Sequence, residues 1–311
     1  MSNKGVVLLS GGGGMVGRNI LEHPVASAWH IVAPRSSEMD LRDYHTTYDY
    51  IKQVDPEFII HAAGRVGGIQ ANIAHPVDFL VDNMDMGRNI VIAARTAGVK
   101  KLLNLGSSCM YPRNAPNPLA ESMILQGELE PTNEGYALAK IMTARLCEFI
   151  NREDSDCLYK TIIPCNLYGR YDKFDPKHSH LIPAIIHKIR QAIDAGHTPV
   201  EIWGDGTARR EFMYAGDLAG AVLRALDHFE SLPMLMNVGL GSDYSINEYY
   251  QAAAEIMGFT GRFEHDRSKP VGMKQKLVST ELQKAWGWTP SFLLKQGIQE
   301  TYQFYKQQYQ L

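Results

Sequence analysis

The sequence predicts an α/β protein in which a Rossmann-type, doubly wound parallel sheet is joined by a smaller C-terminal α/β lobe. Strand and helix patterns alternate through the first half of the chain, and a glycine-rich turn links the first strand to the first helix. Regular alternation ends near residue 170. We therefore expect residues 1–169 to form the sheet domain, with later segments returning to it, and residues 170–311 to form mainly the second lobe.

The first strand pattern, Gly5 to Ser10, is an apolar run that leads directly into the turn. Glycines in G-x-x-G-x-x-G order let a backbone approach a pyrophosphate, and the free N–H groups of a helix start favour its charge. A flexible turn is the alternative, but the strand before and the helix after favour dinucleotide binding. The binding residues would be Gly11, Gly14, Met15, Val16 and Gly17.

The second strand pattern, His30 to Ala33, ends close to Arg35. A site for NAD usually carries an acidic residue near this point, which holds the ribose hydroxyls, whereas arginine suits the 2′-phosphate of NADP. Arg35 therefore predicts NADP(H) as the cofactor. The alternative is a solvated loop arginine.

Strand patterns at Glu57 to Gly64 and Lys100 to Ser108 alternate with helical patterns at Tyr44 to Val54 and Val77 to Gly98. In a parallel sheet covered on both faces, ligands bind beyond the carboxyl ends of the strands. We expect this edge to carry the glycine turn, Ser107, Ala62 and Ala63. Ala62 and Ala63 are candidate cofactor residues, as are Asp40 and Leu41.

The stretch Y-A-L-A-K spans Tyr136 to Lys140 at the start of a helical pattern. Residues four apart share one helix face, so an ammonium and a phenol can meet there. The unperturbed pKa of a phenol is about 10, and a neighbouring cation lowers that pKa towards the catalytic range. Ser107 could hold a substrate oxygen beside them. Because Y-x-x-x-K is frequent by chance, an ordinary helix surface is the alternative interpretation.

A strand pattern at Thr161 to Gly169 brings three further residues to the same edge, Pro164, Asn166 and Leu167. Beyond it the chain is rich in Pro, Asp and His, and repeats are absent. The second lobe is predicted to contain a helix at Leu181 to Ala195, a strand at Val200 to Trp203, a helix at Ile246 to Met257 and a terminal helix at Phe292 to Gln308.

The composition excludes several classes of protein. The net charge of −3 leaves no basic excess to neutralise nucleic-acid phosphates. No apolar run approaches the roughly 18 residues of a membrane span, so we expect a cytoplasmic protein. The four cysteines lack C-x-x-C spacing, which disfavours a disulfide framework and a metal site.

In combination, these motifs resemble the extended short-chain dehydrogenase/reductase superfamily and, more narrowly, the GDP-L-fucose synthase family. The resemblance implies a homodimer that uses NADPH to epimerise GDP-4-keto-6-deoxy-D-mannose at C3 and C5 and to reduce its C4 ketone, giving GDP-L-fucose. The matching stretches span nearly the full length: R-V-G-G-I (Arg65 to Ile69), L-G-S-S-C-M-Y-P (Leu105 to Pro112), L-E-P-T-N-E-G-Y-A-L-A-K (Leu129 to Lys140), H-S-H-L-I-P-A (His178 to Ala184), W-G-D-G-T (Trp203 to Thr207) and N-V-G-L-G (Asn237 to Gly241).

The reductase chemistry would use three of these residues. Tyr136 would give a proton to the developing alkoxide, Lys140 would lower the pKa of Tyr136 and hold the cofactor ribose, and Ser107 would donate to the carbonyl oxygen. The same three groups would stabilise the enolate formed during epimerisation.

Epimerisation also needs a base and an acid. Cys109 lies two residues beyond Ser107, so in an extended chain it shares the side of the backbone that faces the sugar. A thiol is a plausible base, whereas a buried small side chain is the alternative role for a lone cysteine. By resemblance His180 is the matching acid and a cofactor contact, but His178 competes with it on sequence alone.

Substrate binding is assigned by resemblance. Trp203 offers a stacking surface, or ordinary core packing, and Arg210 and Lys276 offer charge to the diphosphate. Lys188 is a weaker candidate. The sugar would contact Ser108, Cys109, Asn166 and Ser107.

Two departures from the family pattern matter. Gly12 and Gly13 stand where the family usually has a His-Arg pair whose arginine contacts the 2′-phosphate, so Arg35 alone would support NADP. The family stretches K-P-D-G and L-L-D become K-P-V-G (Lys269 to Gly272) and L-V-S (Leu277 to Ser279), where the second lobe closes over the substrate.

Other functions remain open. A sugar-nucleotide dehydratase would place Asp-Glu after its active-site serine or threonine, and Ser108-Cys109 lacks both acids. A 4-epimerase with tightly held NAD needs no proton-transferring group at Cys109. A closer alternative is the same chemistry on a related GDP-4-keto sugar, leading to GDP-L-colitose or a GDP-heptose. A non-catalytic dinucleotide sensor is the alternative from another class.

Overall fold

A computed structural model describes residues 4–175, 179–269 and 273–310. The strands, in chain order, are β1 (Val6–Ser10), β2 (His30–Val32), β3 (Phe58–His61), β4 (Lys101–Leu105), β5 (Leu158–Pro164), β6 (Asn166–Tyr168), β7 (Val200–Trp203), β8 (Arg209–Arg210), β9 (Phe212–Tyr214), β10 (Leu235–Val238), β11 (Tyr244–Ser245), β12 (Phe263–Asp266) and β13 (Gln275–Lys276). The α-helices are α1 (Met15–Leu21), α2 (Tyr44–Val54), α3 (Ile69–Ala74), α4 (Pro76–Ala97), α5 (Glu134–Glu153), α6 (Leu181–Asp194), α7 (Ala215–Asp227), α8 (Ile246–Met257), α9 (Glu281–Ala285) and α10 (Leu294–Tyr309).

The central sheet has six parallel strands in the order β10-β5-β4-β3-β1-β2. The chain proceeds from β1 to β2 on one side and returns to β3 on the other. In doubly wound sheets the crevice at such a reversal is where ligands bind, beyond the strand carboxyl ends. This architecture confirms the predicted Rossmann-type fold.

Both faces of the sheet are covered, as the continuous apolar strands require. Val7 and Leu9 belong to a buried cluster that includes α7, whereas Leu8 points to the opposite face. There it packs with Ile51 of α2 and Ile90 of α4. The alternation of successive residues between two apolar layers makes the sheet a rigid base for the loops at its edge.

The second lobe has its own apolar core, formed by α6, α8 and α10 with β7 and β9. A small sheet of β11, β8 and β13 lies in the same half of the sequence. In it, Lys276 of β13 is the parallel register partner of Arg210 of β8. Residues side by side in two paired strands project to the same face, so the sheet holds these two cations together.

The predicted strand at Thr161 to Gly169 is divided in the structure. Its first part is β5 in the central sheet, and its last part is β6, which leaves that sheet to pair with β9. Cys165 separates the two strands. β10 pairs with β5 at one end of the central sheet. The domain boundary at residue 170 stays a prediction.

Among the described residues, no helix combines the length and apolar character needed to cross a membrane. The free cysteines include Cys147, Cys157 and Cys165, which are buried as expected of core residues, and Cys109, which is half-buried.

Candidate active site

The glycine turn after β1 forms a close backbone cradle. Gly11 has a φ of +78°, and a Cβ added there would lie 2.7 Å from the backbone nitrogen of Ala63. A Cβ at Gly17 would lie 2.2 Å from the carbonyl oxygen of Gly11, so both positions require glycine. No side chain caps the first turn of α1, which begins at Met15. Its N–H groups therefore remain available for the pyrophosphate of a dinucleotide, and the cradle fits that group.

Gly12 and Gly13, which stand where the family usually has a His-Arg pair, differ in the space around them. A Cβ at Gly12 would lie 2.6 Å from the Cβ of Ala33, whereas a Cβ at Gly13 would meet no atom within 4 Å. Gly12 therefore cannot carry the family's larger side chain against Ala33 without rearrangement, and Gly13 has room for one.

The residues expected near the cofactor ribose lie after β2. Arg35 is exposed, and its backbone N–H donates to the Glu38 carboxylate at 2.8 Å. Asp40 forms an ion pair with Arg42 at 2.8 Å, which lowers the pKa of Asp40. Leu41 is a buried core residue. The structure thus leaves the Arg35 side chain accessible to a ligand and gives Leu41 a packing role.

The proposed catalytic serine follows β4. Ser107 accepts a hydrogen bond from the backbone N–H of Cys109 at 3.2 Å and begins a short 3-10 turn over Ser108–Met110. Its hydroxyl interacts with the phenol of Tyr136 and lowers the pKa of that phenol. Ser108 is buried, at 3% exposure, so its side chain lies in the protein interior. The two residues predicted to share a substrate oxygen, Ser107 and Tyr136, therefore do meet.

Lys140 lies one turn after Tyr136 on α5, and its ammonium is 5.8 Å from the centroid of the Tyr136 ring. The ammonium donates to the carbonyl oxygen of Leu105 at 2.9 Å, and burial lowers its pKa to about 8. The expected lowering of the Tyr136 pKa by Lys140 is not found. Burial raises the pKa of Tyr136, negative charge on Cys109 adds to the rise, and the Ser107 hydrogen bond opposes it. Tyr136 is therefore a protonated phenol at neutral pH, as a proton donor should be.

Two nitrogen donors from different parts of the chain meet the thiol of Cys109. The side-chain amide of Asn133 lies 3.2 Å from its sulfur and the ammonium of Lys276 lies 3.8 Å from it. Sequence analysis assigned Lys276 to the substrate diphosphate and did not single out Asn133. The β13 strand that carries Lys276 thus connects the second lobe to the catalytic loop.

His180 is the residue before α6. Its Nδ1 is 3.7 Å from a carboxylate oxygen of Asp172, whose side chain is 5% exposed. Asp172 lines a cavity of about 740 Å³ that Gly13 of the glycine turn also lines. Within the described part of the chain, no hydrogen bond or ion pair joins His180 to Cys109 or Tyr136. His178 lies outside the described residues.

The predicted stacking residue Trp203 is 44% exposed, which is unusual for a core tryptophan. The ammonium groups of Lys188 and Lys269 lie 5.7 Å and 5.8 Å from its ring centroid. Its indole N–H donates to Glu201 at 2.8 Å. An exposed indole with two cations beside it suits a flat, negatively charged ligand. The departure at Pro270, Val271 and Gly272 lies outside the described residues.

The remaining predicted residues lie at the carboxyl edge of the sheet. Pro164 ends β5, and Ala62 and Ala63 follow β3. Leu167 packs against the main core, and Asn166 donates its side-chain amide to the carbonyl oxygen of Glu211 at 2.8 Å. These residues lie around the site, and most of their side-chain contacts are with other parts of the protein.

Glu211 is the second residue that sequence reasoning missed. It is 1% exposed, and its carboxylate accepts backbone hydrogen bonds from Leu240, Gly241 and Val278 at 2.7 to 2.9 Å. Its own backbone N–H donates to the carbonyl oxygen of Lys276 at 3.2 Å. The one sign of Glu211 in the sequence was a glutamate within a segment that was predicted to form the second lobe. Glu211 ties β13 to the end of β10.

A backbone cradle for pyrophosphate and a Ser–Tyr–Lys set at one edge of a parallel sheet define an oxidoreductase that uses a nicotinamide dinucleotide. A family model described as the NAD dependent epimerase/dehydratase family matches residues 7–239. The chain belongs to this family, and it is an enzyme.

Named relatives agree with this assignment. GDP-L-colitose synthase of Yersinia pseudotuberculosis is 56% identical over 96% of this chain and 97% of its own length. GDP-L-fucose synthase of Azorhizobium caulinodans is 49% identical over 96% of both chains. Among solved structures, a GDP-L-fucose synthetase of Naegleria fowleri bound to NADP has a TM-score of 0.86 and 28% identity. That alignment covers 100% of this chain and 96% of the Naegleria chain.

Proposed function

We propose that the enzyme uses NADPH to epimerise and reduce a GDP-4-keto-6-deoxyhexose, converting GDP-4-keto-6-deoxy-D-mannose to GDP-L-fucose. The observation that carries this proposal is the position of Cys109, whose backbone N–H donates to the Ser107 hydroxyl at 3.2 Å and whose sulfur lies 3.8 Å from the Lys276 ammonium. A reductase alone needs only the Ser–Tyr–Lys groups. A thiol in the same site adds the proton transfer that epimerisation requires.

When bound, NADPH would supply the hydride that reduces the C4 ketone. Tyr136 donates its proton to the oxygen that becomes an alkoxide, and Ser107 holds that oxygen in place. Lys140 binds the cofactor ribose and supplies positive charge behind the phenol. Because burial raises the pKa of Tyr136, the phenol retains the proton that it must deliver.

The C4 ketone also acidifies the neighbouring C–H bonds, since the electron pair left on carbon is delocalised onto the ketone oxygen. Cys109 takes the proton from C5, and from C3 where that carbon bears a hydroxyl. The enolate oxygen is held by Ser107 and Tyr136. His180 returns a proton to the opposite face of the ring, which inverts the carbon.

We assign the cofactor as NADP(H). The glycine cradle takes the pyrophosphate, the exposed Arg35 takes the 2′-phosphate, and the NADP-bound structure of the Naegleria protein supports the choice. The remaining contacts would come from Asp40, Leu41, Ala62, Ala63, Pro164, Asn166, Leu167 and His180, together with the catalytic pair Tyr136 and Lys140.

For the substrate, Trp203 stacks on the guanine base and Lys188 lies beside it. Arg210 and Lys276 face the diphosphate from paired strands. The sugar contacts Ser107, Cys109 and Asn166, and the buried Ser108 contributes through its backbone.

A second candidate is the same chemistry on a GDP-4-keto-3,6-dideoxyhexose, giving GDP-L-colitose. The observation in its favour is the 56% identity to the Yersinia GDP-L-colitose synthase, against 49% to the Azorhizobium GDP-L-fucose synthase. This substrate has no hydroxyl at C3, so C5 would be the single carbon inverted.

We also propose a cytoplasmic homodimer. Exposed apolar residues follow one face of α4, at Val77, Val81 and Met84, and continue on the adjacent α5 at Leu138 and Phe149. An apolar stripe across two packed helices is typical of an interface between copies of one chain.

The proposed function is tested by NADPH consumption with a panel of 4-keto sugars. We expect the absorbance of NADPH to fall with GDP-4-keto-6-deoxy-D-mannose or its 3-deoxy analogue and to stay constant with the corresponding UDP and dTDP sugars. NADPH consumption confined to the UDP or dTDP sugars would exclude the GDP assignment. Rates on the two GDP sugars decide between the fucose and colitose products.

A further inference from the structure

We infer that Lys276 and Asn133 hold the Cys109 sulfur as a thiolate, making them positioning residues for the base. This inference deepens the proposed function and rests on the assignment of Cys109 as that base. It gives Lys276 a second role, in addition to the contact with the substrate diphosphate proposed above.

The first support is the contact itself. The Lys276 ammonium lies 3.8 Å from the Cys109 sulfur and the Asn133 amide nitrogen lies 3.2 Å from it. A positive charge within about 4 to 6 Å and a hydrogen-bond donor both stabilise an anion. Of the titratable groups in the described part of the chain, Lys276 contacts this sulfur directly and Tyr136 interacts with it electrostatically.

The conformation of Asn133 gives a second, independent support. It occupies the N-cap position of α5, yet its side chain makes no capping hydrogen bond. An N-cap asparagine normally accepts a backbone N–H of the first turn, and losing that bond costs about 1 kcal/mol. Here the amide instead donates to the thiol, while its buried Oδ1 has no partner among the described residues. A departure from the usual helix-capping pattern, such as this one, is expected at a functional site.

The position of Lys276 is fixed by a buried carboxylate. The side chain of Glu211 accepts the N–H of Val278 at 2.9 Å, and its backbone N–H donates to the Lys276 carbonyl at 3.2 Å. These bonds hold the backbone at Lys276 and at Val278, two residues further along. The ammonium therefore approaches Cys109 from a braced strand and not from a free loop.

Thiol alkylation tests the inference without substrate or turnover. Iodoacetamide reacts with the thiolate, which displaces iodide to form a thioether. Cys147, Cys157 and Cys165 are 1%, 3% and 5% exposed, so the half-buried Cys109 should be labelled first. Peptide mass spectrometry follows each site separately, and labelling of the buried cysteines reports any unfolded variant.

At neutral pH we expect Lys276→Met to slow Cys109 alkylation roughly tenfold and Asn133→Ala to slow it roughly threefold. Lys276→Arg should restore most of the rate because it restores the charge. Lys274→Met is the matched control, since it removes a charge from an exposed residue of the same segment and should react like the wild type. At strongly alkaline pH all rates should converge, because every thiol is then ionised.

The inference is overturned if Lys276→Met is alkylated at the wild-type rate, even when its Michaelis constant for the GDP sugar rises. That result would make Lys276 a diphosphate ligand alone. A difference that persists at alkaline pH would indicate altered access to the sulfur and would equally contradict the inference. Because alkylation needs no sugar, failure of the GDP-sugar assignment is recognised separately, by the absence of NADPH consumption.

Discussion

At the scale of single residues, the proposed reaction depends on which side chains act on the C4 oxygen of the sugar. Tyr136, Lys140 and Ser107 occur together throughout a broad class of carbonyl reductases and specify only ketone reduction. Cys109 is the more informative residue, because its backbone is bonded to Ser107 and its sulfur contacts a cation of the second lobe. The thiol and the phenol are therefore close enough to act on adjacent carbons of one sugar.

Replacing the thiol should separate the two reactions. Cys109→Ser replaces a thiol by a much weaker acid, so exchange of the C5 proton with solvent should fall about a hundredfold or more. Hydride transfer to an already epimerised ketone should fall far less, because Ser107, Tyr136 and Lys140 are unchanged. Deuterium exchange followed by NMR and NADPH oxidation measure the two rates. An equal loss of both would remove Cys109 as the specific base.

At the scale of elements, the glycine turn shows how a short segment is tuned for its ligand. Gly11 and Gly17 are required by close backbone contacts, and Gly12 is confined by Ala33. Gly13 alone has open space around it. The absence of an arginine at this turn is therefore not dictated by packing.

Gly13→Arg should fold normally and lower the Michaelis constant for NADPH about tenfold, because a guanidinium at this turn can pair with the 2′-phosphate. The constant for NADH should change little, since NADH lacks that phosphate. Steady-state kinetics with both cofactors measure the effect. Gly12→Ala is the contrasting variant, because its Cβ contact with Ala33 should cost about 1 to 3 kcal/mol of stability. An unchanged preference in Gly13→Arg would contradict the proposed course of the cofactor.

The carboxylate that braces β13 predicts a pH-dependent stability. Burial raises the pKa of Glu211 to about 7, although its three backbone hydrogen bonds oppose this rise. Between the unfolded pKa near 4.5 and about 7, the folded protein binds a proton that the unfolded chain has released. The contribution of Glu211 to the free energy of unfolding is therefore largest below pH about 4.5 and decreases as pH rises through that window.

Glu211→Gln removes this titration and one acceptor of the backbone hydrogen bonds. Near pH 5 it should be about 1 to 3 kcal/mol less stable than the wild type, and the difference should shrink towards pH 8. Urea denaturation at several pH values measures it. Glu264→Gln, at an exposed glutamate, is the control and should follow the wild type. A constant difference across the range would show that Glu211 is ionised throughout.

At the scale of the whole molecule, the parallel sheet was predictable because its strands are continuous apolar runs separated by helical patterns. The Ser–Tyr–Lys set followed from spacing along β4 and α5. The division of Thr161 to Gly169 into β5 and β6 was not predictable, since β6 pairs with a strand almost fifty residues away. Asn133 and Glu211 were missed for the same reason: their roles arise from contacts with distant segments, which no local pattern encodes.

The apolar stripe on α4 and α5 predicts the assembly. Val81→Glu would bury a charge in the proposed interface and should convert the dimer to a monomer. Val25→Glu is a matched control, since the two valines are 46% and 45% exposed and Val25 lies elsewhere on the surface. Light scattering measures the mass of each variant. A monomeric wild type, or dissociation by both substitutions, would contradict the assigned interface.

The central claim is that one site both inverts and reduces the sugar, and turnover in deuterated water tests it most directly. With NADPH as the hydride source, NMR of the product should show solvent deuterium at C5, and at C3 where that carbon carries a hydroxyl, with protium delivered to C4. A reduced GDP sugar without solvent deuterium at C5 would identify a simple 4-ketoreductase and contradict the claim.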